Sequence, residues 1–207
     1  MPFMKLKKFT PELASGIIDA GFDQEFKDIQ RTCIPKIKSG ADLIVVAPEG
    51  SGKSSALVMG VIQQLKTPFE EAPRAIVIVS SKEKAFELEE QFELLGKRTK
   101  LRTFVAFDKG ILQYQKDMIY EGLDVLICTP RRLTELVNVN GVPMTKIKML
   151  VIDDSEEFVL NSMHSIIYRI ADGMKNPQIV LFANKWHHKL EDLSERIMKS
   201  PMIIEGE

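Results

Sequence analysis

The chain has 207 residues, 44% of them hydrophobic and 28% charged, with a formal net charge of −1. That length is enough to bury the core of one ordinary globular domain, and a balance so near neutrality excludes a global attraction to polyanions, so nucleic-acid binding would need a local basic patch. No apolar run approaches the roughly 20 residues that cross a bilayer, and the N-terminal MPFMKLKKF lacks the h-region and cleavage site of a secretory signal, so no membrane partner is expected and the expected compartment is intracellular, the cytoplasm ahead of the nucleus.

In chain order, residues 1–40 form a leading segment expected to pack on the core. Thr10 and Pro11 suit an N-cap and first helical position, Gly21 suits a stop, and QEFKDIQRTCIPKIKSG (24–40) reads as a second helix. Residues 41–207 then alternate short Val/Ile/Leu runs with amphipathic stretches. Strands are expected at 42–47, 74–80, 101–106, 124–129, 149–154, 178–183 and 202–206. Between them, helices are expected over 54–66, 84–97, 111–122, 131–139, 162–174 and 187–199, each with apolar residues at three- and four-residue spacing. Most strands are apolar on both faces, the pattern of an open, mostly parallel α/β sheet with helices on both sides. Cys33 and Cys128 lie far apart with only three histidines to join them, so neither a zinc site nor a disulfide is supported and both read as buried thiols.

The first strand runs directly into APEGSGKSS (47–55) and a helix. In the template G-x-x-x-x-G-K-[ST], Ala47 takes the first position, while Gly52, Lys53 and Ser54 fall in place, with an additional glycine at Gly50. Such a loop curls backbone N–H groups around phosphate oxygens at a helix N-terminus, with Lys53 reaching the outer phosphates and Ser54 available to Mg²⁺. Gly50, Ser51, Gly52, Lys53, Ser54 and Ser55 are therefore candidate ATP ligands. A glycine-rich turn alone would explain the glycines but not Lys-Ser opening the helix. The run LVIDDSEEF (150–158) supplies carboxylates at a strand end. An Asp pair there can be a turn or helix cap, but beside a phosphate loop Asp153 becomes a candidate Mg²⁺ ligand, together with Ser54.

With these motifs in order, the chain resembles the first RecA-like domain of DEAD-box RNA helicases over nearly its whole length. AGFDQEFKDIQ (20–30) is similar to the Q motif of that family, with Gln30 in the adenine-reading place and Phe3 or Met4 as candidates for stacking on adenine. SSKEKA (80–85) resembles the RNA-contacting P-T-R-E-L-A, which implies RNA contacts for Ser81 and Lys82. TPRR (129–132) resembles T-P-G-R and implies the same for Thr129, Pro130 and Arg132. The resemblance implies catalytic roles for Lys53, Asp153 and Asp154.

The departures are equally specific. Glu49 replaces a Thr of the phosphate loop, Ala106 and Phe107 replace a double glycine, D-E-A-D becomes Asp153-Asp154-Ser155-Glu156, and S-A-T becomes Phe182-Ala183-Asn184. Replacing Glu by Asp withdraws the water-positioning carboxylate by one methylene, and a displacement on the order of 1 Å can cost about 10²-fold in rate. Phe182 cannot make the hydrogen bonds of a serine hydroxyl. The resemblance thus implies an ATP hydrolase within a larger RNA helicase, its partners being RNA and a second RecA-like domain. The departures fall on hydrolysis and coupling more than on binding, and the isolated domain is expected to be weak or inactive. The rival reading is an inactive helicase-like scaffold with assembly partners in a ribonucleoprotein. Trp186, His187 and His188 invite a stacking or metal role, but packing or surface exposure accounts for them more simply.

Overall fold

The computed structural model of the chain describes residues 6–22, 25–69 and 72–206. Seven strands make one sheet: β1 (Leu43–Val46), β2 (Ala75–Ile78), β3 (Thr103–Ala106), β4 (Val125–Cys128), β5 (Met149–Ile152), β6 (Gln178–Ala183) and β7 (Met202–Glu205). Every pairing is parallel, in the order β3-β4-β2-β5-β6-β1-β7. All seven expected strands are present, most of them shorter at the ends than the apolar runs that announce them.

Side chains alternate along each strand, and the alternation sorts the core into two layers. Val45, Val77, Ile127, Val151 and Phe182 point to one face, and Ile44, Ile76, Leu126, Leu150 and Leu181 to the other. The first layer is covered by α1 (Pro11–Asp19), α2 (Asp28–Lys38), α3 (Lys53–Leu65) and α4 (Lys82–Gly96). The second is covered by α5 (Leu112–Tyr120), α6 (Pro130–Asn138), α7 (Ser155–Leu160), α8 (His164–Asp172) and α9 (His188–Ile197). This is a RecA-like α/β architecture. Cys33 and Cys128 are buried and unpaired, and burial pushes the Cys33 thiol up to about 12. Among the described residues no helix is long and apolar enough to cross a membrane.

Three local expectations need amendment. Thr10 has the extended backbone of an N-cap, but its side chain makes no cap bond; instead its N–H donates to Gln63 Oε1 at 3.0 Å. The second helix starts at Asp28, later than its apolar pattern allows, with the Lys27 N–H donating to Gln30 Oε1 at 2.9 Å. The strand expected to reach residue 154 ends at Ile152, because Asp154 turns into the left-handed region (φ 48, ψ 45) and starts α7, a conformation that Asp tolerates better than most residues. That six-residue helix, SEEFVL, is too short and acidic to show a 3.6-residue period.

The strand order positions everything that follows. β5, β6 and β1 are consecutive in the sheet, with Ile152 beside Leu181 and Ala183 beside Val46. Their carboxyl ends therefore bring together residues as distant in the chain as Val46 and Ala183, in the crevice where open parallel sheets bind ligands.

Candidate nucleotide site

The loop from β1 to α3 turns on Gly50 (φ 78) and Gly52 (φ 94), conformations that an L side chain rarely adopts. Gly52 is also pressed from below: a Cβ there would lie 2.7 Å from Gln30 Nε2. Gln30 is buried, with its amide directed at the Gly52 carbonyl at 3.4 Å, and Lys27 donates from Nζ to the Gly50 carbonyl. Helix α2 thus braces the loop from outside. Lys53 opens α3, is 7% exposed, and donates to the carbonyls of Ala47 (2.6 Å) and Pro48 (2.9 Å). Burial lowers its pKa, against the opposing pull of Asp153, Glu156 and Glu49.

The loop forms one wall of a cavity of about 300 Å³ that Gly50, Gly52, Lys53, Ser54 and Ser55 line, facing Asp153 and Asp154. The Ser51 hydroxyl is buried with no partner among the described residues, and Ser51 does not line the cavity. Glu49, exposed, stands at the rim of the same cavity. Asp153 is buried beyond Ile152, and burial raises its carboxyl to about 6, with Glu156 and Glu157 adding to the rise and Lys84 and Lys53 opposing it.

Asp154 is held on both oxygens. Oδ2 pairs with Lys84 Nζ, and Oδ1 accepts from Asn184 Nδ2 at 3.0 Å. Asn184 also donates its backbone N–H to Glu156 Oε1 at 2.9 Å, and the Ser155 hydroxyl donates to the Phe182 carbonyl at 2.9 Å. The tips of β5 and β6 are therefore tied by Asn184 and Ser155, although Phe182 itself is fully buried. Sequence reasoning missed Lys84 as a site residue. The available signal was a lysine where P-T-R-E-L-A has leucine.

The donor set fits a nucleoside triphosphate with Mg²⁺. Two glycines in left-handed conformations, a helix N-terminus and a lysine face one hydroxyl and one carboxylate, hard oxygen donors suited to that ion. Among the described residues no cluster of three or more His, Cys, Asp or Glu could hold a metal alone. Mg²⁺ does not require such a cage, since it commonly takes one or two carboxylates plus substrate phosphate and water.

The residues singled out for RNA lie at the N-termini of α4 and α6, beyond the carboxyl ends of the adjacent strands β2 and β4. Ser81 caps α4, its Oγ accepting from the Lys84 N–H at 3.2 Å, while Lys82 sits 4.6 Å above the Phe107 ring and 5.7 Å from that of Phe86. Thr129, Pro130 and Arg132 are buried. The Thr129 hydroxyl donates to Asp108 Oδ1 at 2.6 Å, and the Arg132 guanidinium donates to the carbonyls of Asp108 and Gly110. The Thr129 and Arg132 side chains hold the 107–110 loop in shape. Phe3 and Met4 lie outside the described residues. His187 caps α9 through Nδ1 and its ring lies against that of His188, tilted by 32° with ring centres 4.3 Å apart.

Comparison with known proteins places this geometry. A family model described as DEAD/DEAH box helicase matches residues 27–193. The chain is similar to "Probable ATP-dependent RNA helicase ddx52" of Dictyostelium discoideum, at 29% identity over 98% of this chain and 30% of that protein. It is similar to eukaryotic initiation factor 4A of Caenorhabditis elegans, at 26% identity over 97% of the chain and 49% of the relative. The DEAD-box ATP-dependent RNA helicase RhpA of Helicobacter pylori is 28% identical over 91% of the chain and 38% of that protein. The chain thus spans from under a third to about half the length of these curated relatives.

Proposed function

The chain belongs to the DEAD/DEAH box helicase family, and from that premise we propose that it is the ATP- and RNA-binding first RecA-like domain of an ATP-dependent RNA helicase core. The observation that carries this reading is the convergence of Lys53, Ser54, Asp153 and Asp154 on one cavity at the carboxyl ends of β1 and β5, which flank β6. Gly50 to Ser55 encircle the phosphates with backbone N–H groups, and Lys53 exchanges the Ala47 and Pro48 carbonyls for phosphate oxygens. Ser54 and Asp153 are the residues that would hold Mg²⁺, which when bound neutralises phosphate charge. Gln30 braces the loop and lies at its adenine side. Ser81, Lys82, Pro130 and the loop shaped by Thr129 and Arg132 form this domain's half of an RNA surface, and a second RecA-like domain would supply the other.

The occupancy of Asp154 favours slow turnover. A carboxylate with the Asn184 amide on one oxygen is poorly placed to orient water, and it is also one methylene shorter than the glutamate of the family motif. Binding without productive hydrolysis, as in a scaffold within a ribonucleoprotein assembly, is the second reading that this observation supports. Titration with a fluorescent ATP analogue, with and without Mg²⁺, tests the first step: binding is expected to need Mg²⁺ and to be lost in Lys53→Ala. RNA-stimulated phosphate release by the full-length protein separates the two readings, since turnover that rises with RNA excludes the scaffold.

A further inference from the structure

We propose that Lys84 is a triphosphate-discriminating residue of this cavity, held on Asp154 when no nucleotide is present and transferred to the terminal phosphate when ATP binds. The inference rests on the nucleotide reading above and extends it to a residue that the family motif occupies with leucine.

Four observations converge on Lys84. It lies in the first turn of α4, where the helix dipole disfavours a cation, so helix stability does not explain it. Its side chain is 36% exposed yet reaches a carboxylate that is 7% exposed, at the cavity wall. The charged side chains lining that cavity are Glu49, Glu87, Asp153 and Asp154 against Lys53 and Lys84, so the free cavity is net anionic and a polyanion needs both lysines turned toward it. Finally, Asp154 keeps the Asn184 amide on its other oxygen, so releasing Lys84 does not strip the buried carboxylate of partners.

The position of Lys84 sets its selectivity. Gln30 and Lys27 contact the carbonyls of the glycine turn from the α2 side, while Lys84 lines the cavity paired with Asp154, which faces that turn. A nucleotide whose base lies toward Gln30 extends its last phosphate toward Lys84. A diphosphate stops short.

The test measures dissociation constants of fluorescent ATP and ADP analogues, with Mg²⁺, for the 207-residue chain, Asp154→Asn, and Lys84→Met and Lys84→Arg in the Asp154→Asn background. Working in that background removes the trivial effect of leaving Asp154 unpaired. A charge-assisted hydrogen bond corresponds to about tenfold or more in affinity. On that scale, Asp154→Asn is expected to strengthen ATP about tenfold relative to ADP. Adding Lys84→Met should abolish that preference with ADP unchanged, and adding Lys84→Arg should retain it. If Lys84→Met leaves the ATP-to-ADP ratio of Asp154→Asn unaltered, Lys84 is only a structural partner of Asp154 and the proposal is overturned while the site stands. If the unaltered chain binds neither analogue, or Lys53→Ala binds as well as it does, the site reading fails and takes this inference with it.

Discussion

The two ends of the sheet bury carboxylates in opposite ways. At the amino ends, Asp124 is fully buried just before β4, with Arg74 on Oδ1 at 2.7 Å and Arg102 on Oδ2 at 3.0 Å. Each of the three residues directly precedes the start of a strand, and β3, β4 and β2 are adjacent, so the triad clips three strand ends together. Burial alone would raise the Asp124 carboxyl, but the hydrogen bonds and charge of Arg102, with Arg74, bring it below the ordinary value. At the carboxyl ends, Asp153 has no arginine partner among the described residues, and its carboxyl is pushed up to about 6. One end spends its cations on stability. The other leaves a buried acid under-compensated, as perturbed acids at functional sites are.

The contrast breaks most severely at Asp124. Asp124→Asn leaves Arg74 buried against a neutral amide and is expected to cost about 3–5 kcal/mol in denaturant unfolding, whereas a loss below about 1 kcal/mol would show the triad to be dispensable. The same carboxylate gives a pH signature. Because its folded-state value lies below the ordinary 3.8, its contribution is fully present above that value and is lost as pH falls through the lowered one. Unfolding curves at about pH 7 and about pH 3 should therefore differ less in Asp124→Asn than in the unaltered chain.

At the other end the sign reverses. Asp153→Asn removes an ionised group that burial disfavours, and stability at neutral pH is expected to rise by about 2 kcal/mol, or roughly 4–8 °C in Tm, while Mg²⁺-dependent nucleotide binding is lost. A fall in Tm would mean that Lys53 and Lys84 already compensate Asp153 fully. Ser155→Ala probes the tie between the tips of β5 and β6 and should cost about 1 kcal/mol, from the lost hydroxyl bond to the Phe182 carbonyl.

Much of this architecture is legible in the order of the amino acids. The four-residue apolar cores of β1, β2, β4 and β5 are each wholly buried, so a continuous Val/Ile/Leu run is a sufficient sign of a two-faced strand. The phosphate loop is legible because its glycines serve local backbone geometry. Helix α7 is not, being a single short turn-rich segment set by the left-handed Asp154. Neither is the role of Arg132, whose charge suggests a polyanion contact but whose guanidinium holds carbonyls of the 107–110 loop. The Lys84–Asp154 pair spans 70 residues, and the Asp124 clip joins Arg74 across 50. Nothing in a local window encodes either.

The sequence by itself determined the elements, their two-faced burial and the phosphate turn, because hydrophobic period and glycine conformation act over a few residues. Only the tertiary structure decided which strand ends are neighbours, and with them which acid meets which base. Placing β5 between β2 and β6 lets Lys84, just after β2, and Asn184, just after β6, converge on Asp154, and charge energies in a buried site depend on distances that chain order does not fix.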